Sequence, residues 1–204
     1  MQNGTPETDR RKRKKRRRRR IQIVIVYTAI AIGLAWFFES QATTTIIFVR
    51  HAEKAAVPAG DPGLSPAGER RVAELTQQML EVDVVAGVDV IYATPYRRAL
   101  ETVRPLAEAL DVPIHRYDPR PEDLEAFLEG IVDQYKGEII LVVGHSNTIP
   151  EMIAELGGSK NVPPIAEDEY DNIYILAIPW FGKTKTLRLR YGEPYTGEPG
   201  ESSS

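Results

Sequence analysis

The chain of 204 residues contains no cysteine and only three histidines. Without cysteine no disulfide can form, so the folded part must be stable through its core alone, which is permitted even in an exported protein. The sequence also lacks an HExxH zinc motif, a Walker loop and a GxGxxG dinucleotide fingerprint. These absences leave no indication of a zinc protease, a P-loop nucleotidase or a dinucleotide-dependent enzyme.

Acidic residues are almost missing from the first twenty positions, where basic residues are concentrated. Residues 10–20 read RRKRKKRRRRR and hold 11 of the 26 lysines and arginines. Residues 21–204 carry 15 basic and 27 acidic side chains, a net charge of −12. The formal charge of −3 therefore averages a basic arm, residues 1–20, with an acidic body.

An uncharged apolar segment follows the arm directly. Residues 21–38 read IQIVIVYTAIAIGLAWFF, which as a helix is about 27 Å long, close to the hydrocarbon thickness of a bilayer. Aromatic residues at its far end suit a membrane interface, and the cations before it favour a cytoplasmic N-terminus. We predict a single-pass signal anchor in the inner (cytoplasmic) membrane, with the polybasic arm in the cytoplasm against anionic lipid and the remaining chain in the periplasm or otherwise outside the cytoplasm.

Two other interpretations of this N-terminal region are open. A basic run can bind nucleic acid, but here it adjoins an apolar segment, and we expect no nucleic-acid partner. A cleaved secretory signal is the other, because Ser40, Gln41 and Ala42 resemble a small-x-small cleavage site. The length of the apolar segment favours the retained anchor.

Residues 43–192 alternate strand and helix patterns, which predicts one catalytic domain with a three-layer α/β/α sandwich and a mostly parallel sheet. A disordered tail, residues 193–204, is expected to follow because it is rich in Gly, Pro and Ser. Ser65 is a predicted N-cap, and Pro105 implies a kink or break in its helix. The predicted strands are 43–49, 89–94, 112–118, 138–145 and a final hairpin or edge pair at 172–179 and 186–191; the predicted helices are 66–80, 96–110, 121–135 and one beginning at 148.

Charged side chains follow three of the predicted strands. Arg50 and His51 end the first, Arg97 and Arg98 follow the second, and His145 ends the fourth. The carboxyl ends of parallel strands share one edge of the sheet, so these residues can converge. Guanidinium groups pair with phosphate through two parallel hydrogen bonds, and a neutral imidazole can act as a nucleophile. The pattern indicates a phosphoryl-transfer site built without a metal or other cofactor.

Four motifs resemble the histidine phosphatase (phosphoglycerate mutase-like) superfamily, and in particular its small bacterial branch that carries RHAEK. They read VRHAEK, LSPAGERR, YATPYRRALET and VVGHSNTIP, and the resemblance covers residues 44–180. It implies that His51 is phosphorylated and that Arg50, Arg98 and His145 bind the phosphate. Arg98 immediately precedes the motif alanine, which leaves Arg97 as a rim cation.

The resemblance also implies a proton donor between the second arginine and the second histidine. Asp118 is preferred because it ends the predicted third strand, while Glu122 and Asp123 fit better as acids at a helix N-terminus. His115 is interpreted as structural or surface-exposed.

Other polar residues of the motifs have simpler interpretations. Glu53 and Lys54 are candidates for a salt-bridged rim. Ser146 and Asn147 are interpreted as the turn that presents His145, because the nucleophile-elbow pattern is absent.

The most economical function is a metal-independent phosphomonoester hydrolase acting through a phosphohistidine on His51. Its substrate would be a phosphorylated small molecule or envelope component. A mutase needs a lid that excludes water, and only residues 53–64 and 157–171 are available to cover the site. A phosphoryl-binding module with a weak active site, or a phosphoglycerate mutase-like phosphotransferase, is the alternative.

Overall fold

The computed structural model describes residues 6–39, 43–81, 87–118 and 120–194. The chain divides into two compact units, residues 1–41 and 42–204, and each is described by itself. The predicted cleavage site at Ser40–Ala42 lies outside the described residues, as does the tail beyond 194.

The first unit contains one long helix, α1, which spans Pro6–Glu39. The basic arm and the apolar segment therefore belong to the same helix. Its stretch Arg13–Phe37 is long and apolar enough to be a candidate membrane span, and the side chains of residues 13–37 are exposed. This agrees with a span predicted at residues 21–38.

The second unit is built on a six-stranded sheet with the strand order β3-β2-β4-β1-β5-β6. The first four strands in this order are parallel to one another, whereas β5 is antiparallel to both β1 and β6. The strands are β1 (Thr44–Arg50), β2 (Val90–Ala93), β3 (Ile114–Arg116), β4 (Ile139–Gly144), β5 (Asn172–Ile178) and β6 (Lys185–Arg190).

Helices cover both faces of the sheet and bury two separate apolar clusters. Helices α2 (Pro66–Glu81) and α3 (Arg97–Leu110) pack on one face. Helices α4 (Pro121–Gln134) and α5 (Thr148–Glu155) pack on the other. Strands β1 and β4 are buried along nearly their whole length, as expected of central strands covered on both sides. The three-layer, mostly parallel architecture is confirmed, with the final two strands forming the antiparallel edge.

The structure refines two local predictions. Of the kink or break predicted at Pro105, a break does not occur, because α3 continues through the proline. The buried Val103, Leu106 and Ala107 on either side of the proline anchor the helix to the sheet, and this packing outweighs the lost backbone hydrogen bond. Strand β3 is shorter than predicted and ends at Arg116, so Asp118 lies beyond the strand.

The start of α2 explains the motif LSPAGERR. The Ser65 hydroxyl accepts from the Gly68 N–H at 3.1 Å, which is an N-cap bond as predicted. A side chain at Gly68 would collide with the Glu53 carbonyl oxygen, so glycine is required where α2 approaches the end of β1.

Candidate active site

A cavity of about 560 Å³ opens at the edge of the sheet where β1, β2 and β4 end. Helices α3, α4 and α5 all begin at this edge, so the positive ends of their dipoles face it. The cavity is lined by Arg50, His51, Lys54, Tyr96, Arg98, Asp118, Arg120, Pro121, His145, Ser146, Asn147, Thr148, Glu167 and Tyr170. The five residues predicted to form the site therefore line one cavity.

The ring of His51 is buried and fixed in one tautomer. His51 is 4% exposed, and its Nδ1 lies 2.8 Å from the Ala52 carbonyl oxygen. A carbonyl oxygen can only accept, so Nδ1 carries the proton and Nε2 carries the lone pair. The ring is thus held as a neutral imidazole with a nucleophilic nitrogen.

The electrostatics of the cavity keep both site histidines neutral. Burial lowers the pKa of His51 to about 3, with further lowering from His145, Arg50 and Arg98. Burial also lowers the pKa of His145 to about 4, and Arg98 and Arg50 contribute to this shift. At neutral pH the rings are uncharged, and the arginines supply the positive charge that an anion would meet.

His145 lies beside His51, with ring centroids 5.2 Å apart. Its Nε2 is 3.1 Å from the hydroxyl of Thr94, a fully buried residue directly after β2. This contact orients the ring, and Thr94 is a site residue that the sequence analysis did not single out. A polar residue immediately after a predicted parallel strand was the signal that could have identified it.

Arg50 is tied to the loop that precedes β5. Its Nη1 donates to the carbonyl oxygens of Ala166 and Glu169 at 2.6 and 2.9 Å, and Nη2 donates to that of Glu167 at 2.8 Å. The guanidinium also stacks on Tyr170, with Cζ 4.1 Å from the ring centroid. Nε is buried and has no partner among the described residues. Three of the five donor hydrogens thus hold the loop, and the remaining two, on Nε and Nη2, are available to an anion.

Arg98 is the second guanidinium of the cavity. Its Cζ lies 4.5 Å from the ring centroid of Tyr96, and its Nε is likewise buried without a described partner. Thr102 fixes this part of α3: its hydroxyl donates to the Arg98 carbonyl at 2.7 Å and accepts from the Ala52 N–H at 2.9 Å. The threonine of YATPYRRALET therefore joins the helix that carries Arg98 to the residue after His51.

Asp118 lines the cavity, but its carboxylate is engaged by Arg120, with Oδ2 2.9 Å from Nε. Arg120 also lies 3.7 Å from Glu122 and 2.7 Å from Asp123. Of these three acids, only Asp118 is among the cavity-lining residues. The structure therefore brings Asp118 to the site and leaves the other two at the start of α4.

The remaining residues of the motifs occupy the positions that their simpler interpretations predict. Arg97 is exposed and pairs with Glu101 at 2.6 Å, outside the cavity lining. Glu53 pairs with Arg71 at 2.7 Å. His115 is exposed on β3. These contacts agree with a salt-bridged rim and a surface histidine.

The sequence analysis treated the loop before β5 only as a segment that could cover the site. Its carbonyls hold Arg50, and Glu167 and Tyr170 line the cavity. Arg190 of β6 pairs with the buried Glu169 at 3.2 Å and with Asp171 at 2.8 Å, which ties the loop to the last strand. The loop reaches the site because β5 runs antiparallel, so its beginning, rather than its end, lies at the site edge.

This arrangement can bind a compact anion and offer it a nucleophile. Two buried guanidinium Nε–H groups belong to residues that line the same cavity as the neutral His51 ring. A buried donor without a partner costs about 1–3 kcal/mol, and more when it is charged, so an anion that accepts from these groups would bind favourably. Among the described residues, no group of three or more His, Cys, Asp or Glu side chains is arranged to hold a metal ion.

Comparison with solved structures identifies the fold. The protein histidine phosphatase SixA in complex with tungstate is 18% identical, with a TM-score of 0.55 over 72% of this chain and 96% of that one. The corresponding protein from Agrobacterium tumefaciens, a putative phosphohistidine phosphatase SixA, is also 18% identical, with a TM-score of 0.53 over 74% and 99% of the two chains. A phosphoglycerate mutase from Plasmodium falciparum is 19% identical, with a TM-score of 0.52 over 80% and 98%. The second unit thus has the histidine phosphatase fold.

Sequence comparison agrees with the fold. Residues 46–120 match the family model of the histidine phosphatase superfamily (branch 1). No curated protein matches the chain.

Proposed function

We propose that this protein is a metal-independent phosphomonoester hydrolase that forms a covalent phosphohistidine on His51. The observation that carries the proposal is the pair of buried Arg50 and Arg98 Nε atoms, without described partners, in the cavity that holds the neutral His51 ring. A phosphate dianion would accept from both guanidiniums. The same charges stabilise the additional negative charge of a phosphoryl-transfer transition state.

Two chemical steps follow from this geometry. In the first, His51 Nε2 attacks phosphorus, the P–O ester bond breaks, and the leaving oxygen takes a proton. In the second, water attacks the phosphohistidine, the P–N bond breaks, and inorganic phosphate forms. The bond from Nδ1 to the Ala52 carbonyl keeps Nε2 directed at the substrate throughout, and His145 hydrogen-bonds the phosphoryl oxygens.

Asp118 is the proposed donor of the leaving-group proton. It is the only one of the three candidate acids that lines the cavity. In this role Asp118 gives a proton to the leaving oxygen in the first step and takes one from the attacking water in the second. Asp118→Asn is expected to slow the hydrolysis of alkyl phosphate esters far more than that of aryl phosphate esters, because an aryl leaving group needs little protonation.

The rim of the cavity favours hydrolysis over intramolecular transfer. Lys54, Arg120 and Glu167 are exposed at this rim, so water has access to a phosphohistidine. A mutase would need to exclude that water. Labelled water distinguishes the two, since only hydrolysis places a water oxygen in the released phosphate.

The proposed cellular arrangement follows the N-terminal sequence. Residues 1–20 form a cytoplasmic arm, residues 21–38 span the inner membrane, and residues 43–192 form the catalytic domain outside the cytoplasm, followed by the tail 193–204. The candidate span within α1 supports this arrangement, as does the positive charge on one side of it. A C-terminal reporter that is active only in an oxidising compartment tests the orientation.

Trapping the intermediate tests the chemistry directly. The full chain is mixed with an aryl phosphate, quenched in alkali, which preserves phosphohistidine, and analysed by mass spectrometry. One phosphate is expected on His51 and is expected to disappear in His51→Ala together with turnover. His115→Ala, a change at an exposed histidine on β3, is the matched control and should behave as the parent.

Two results separate the alternatives. Full turnover in His51→Ala would reject the assignment of the nucleophile. Tight phosphate binding by the parent without any hydrolysis would indicate a phosphoryl-binding module instead.

A further inference from the structure

Thr94 and His145 follow two neighbouring strands of the sheet. Strands β2 and β4 are parallel and pair Ala93 with Val143, so Thr94, the next residue after β2, lies beside the end of β4. Thr94 is fully buried, and its hydroxyl oxygen lies 3.1 Å from His145 Nε2. The strand register therefore places a buried hydroxyl against one nitrogen of the His145 ring.

The hydroxyl of Thr94 is the donor in this contact. A threonine hydroxyl has one hydrogen to donate, and His145 Nε2 is its partner among the described residues. If Nε2 carried a proton instead, the hydroxyl hydrogen would be buried without an acceptor, which costs about 1–3 kcal/mol. Burial, Arg98 and Arg50 lower the pKa of His145 to about 4, so the ring is neutral at pH 7 and holds a single N–H. With the lone pair at Nε2, that N–H is at Nδ1.

The second ring nitrogen of His145 is available to a ligand. Nδ1 has no hydrogen-bond partner among the described residues, and it is not a buried atom. The two nitrogens of an imidazole point in different directions, and the bond made by one determines the protonation of the other. His145 lines the cavity, whereas Thr94 is not among the cavity-lining residues. An Nδ1–H is therefore a neutral donor that an anion in the cavity can reach.

His51 has the same tautomer but presents the other nitrogen. Its Nδ1–H donates to the Ala52 carbonyl oxygen at 2.8 Å, which leaves the lone pair of Nε2 for the substrate. The ring centroids of His51 and His145 are 5.2 Å apart. A carbonyl acceptor at Nδ1 thus makes one ring a nucleophile, and a hydroxyl donor at Nε2 makes its neighbour a hydrogen-bond donor.

We propose that Thr94 is a positioning residue that holds His145 as the Nδ1–H tautomer, so that this N–H donates to the phosphoryl group. Its effect on turnover rests on the proposed function, whereas the tautomer is a property of the free protein. Without the hydroxyl, the proton can move to Nε2, and the lone pair at Nδ1 then repels the phosphoryl oxygens. Thr94 therefore determines whether His145 attracts or repels the substrate.

Nitrogen-15 NMR of the full chain in detergent tests the tautomer without any substrate. The chain has three histidines, so labelled histidine in a His115→Gln background reports on the two site rings. Comparison with His51→Gln/His115→Gln identifies the signals of His145. Couplings between ring nitrogens and carbon-bound ring hydrogens distinguish a protonated nitrogen from one with a lone pair. We expect a protonated Nδ1 in His145 at neutral pH, and a protonated Nε2 would overturn the proposal.

Substitutions separate the hydroxyl of Thr94 from its bulk. Thr94→Val keeps the shape and removes the donor, so His145 should gain the Nε2–H tautomer, whereas Thr94→Ser should keep the parental signals. An unchanged tautomer in Thr94→Val would contradict the role of the hydroxyl. The parental spectrum keeps the test decisive if Thr94→Val does not fold.

Thr148→Val is the matched control. The Thr148 hydroxyl accepts from the backbone N–H of His145 at 3.2 Å and is not bonded to its ring. The substitution therefore disturbs the same turn but should leave the tautomer of His145 unchanged. A tautomer that responds equally to Thr148→Val and Thr94→Val would reject a specific role of Thr94.

Hydrolysis of an aryl phosphate measures the consequence for turnover. Thr94→Val should reduce kcat by about 10–100-fold with a smaller change in KM, because the lost donor acts mainly on charge that develops in the transition state. Thr94→Ser should recover most of kcat, and equal losses in both variants would reduce Thr94 to a packing role. A parent with the expected tautomer but without hydrolysis would reject the proposed hydrolase and still support the tautomer assignment.

Discussion

The two edges of the sheet differ in the exposure of their polar and apolar residues. At the cavity edge, Arg50 and His51 are 7% and 4% exposed, while at the opposite edge Phe181 is 86% exposed. A charged group is seldom buried unless it is paired, and Arg50 is paired with carbonyl oxygens of the loop before β5. A single exposed aromatic side chain such as Phe181 is ordinary on a protein surface.

The edges differ in how their residues are held. At the cavity edge the side chains are fixed by contacts across several elements, such as Arg50 on the loop before β5 and Thr102 between α3 and Ala52. At the opposite edge Phe181 lies in the turn between β5 and β6 and is mostly exposed. Substitutions at the first edge should thus affect activity and stability together, whereas a substitution of Phe181 should have little effect on either.

After the loss of the nucleophile itself, the largest expected effect comes from Arg98, the guanidinium beside Tyr96. Arg98→Gln should reduce kcat/KM by about 10²–10³-fold because a preorganised donor to the transition state is lost. The neighbouring Arg97→Gln, outside the cavity, should change kcat/KM by less than about threefold. Steady-state hydrolysis of an aryl phosphate measures both, and equal losses would contradict the assignment of Arg98 over Arg97.

Acid should destabilise the cavity edge through its histidines. The lowered pKa values of His51 and His145, about 3 and about 4, mean that the unfolded chain binds more protons below its ordinary histidine pKa near 6.5. The free energy of unfolding should therefore fall as pH decreases from about 6.5 towards 4, by up to ~1.4 kcal/mol per pH unit for each histidine. Chemical denaturation at several pH values measures this slope.

Substituting both rings sharpens this prediction. His51→Gln/His145→Gln should flatten the slope between pH 6 and pH 5, whereas His115→Gln serves as the control at an exposed histidine. A slope that is unchanged in the double variant would show that other groups cause the acid sensitivity.

Removal of one buried hydroxyl should give a smaller effect. Thr102→Val leaves the Ala52 N–H without its partner and should reduce the free energy of unfolding by about 1–3 kcal/mol, with a loss of activity because Arg98 and the His51 turn are no longer joined. Thr102→Ser retains the hydroxyl and should recover most of the activity. Denaturant unfolding and aryl phosphate hydrolysis are measured together, and similar behaviour of Val and Ser would contradict the role of the hydrogen bond.

The smallest effect is expected at the opposite edge. Phe181→Ser changes a side chain that contributes little to the core, so the free energy of unfolding in detergent should change by less than about 0.5 kcal/mol. Hydrolysis of a soluble aryl phosphate should also remain at the parental rate. A large loss of either would show that the turn supports the cavity, and the contrast between the edges would fail.

The sequence predicted those features that depend on local pattern. The apolar runs of β1 and β4 end in Arg50, His51 and His145, and parallel strands bring such ends to one edge. The contribution of the loop before β5 depends on the antiparallel direction of β5, which local pattern does not determine. The ion pair of Asp118 with Arg120 depends on side-chain positions beyond the end of β3. The alternation of residues along a strand does not predict such positions.

Helix α3 shows the same division. A proline predicts a kink or a break from local backbone chemistry alone. The helix continues because Val103 and Leu106 are buried against the sheet. This stabilisation by tertiary packing cannot be read from the local sequence pattern.

The pairing of Arg190 with Glu169 and Asp171 has a consequence for the newly made chain. Arg50 is synthesised early, but the loop that binds it comes later in the chain. That loop is in turn bound by Arg190 of the last strand. During synthesis the N-terminal helix and β1 leave the ribosome long before Arg190 does, so the anion-binding cavity cannot be completed until β6 has emerged. The candidate membrane span therefore emerges from the ribosome before the cavity can bind an anion.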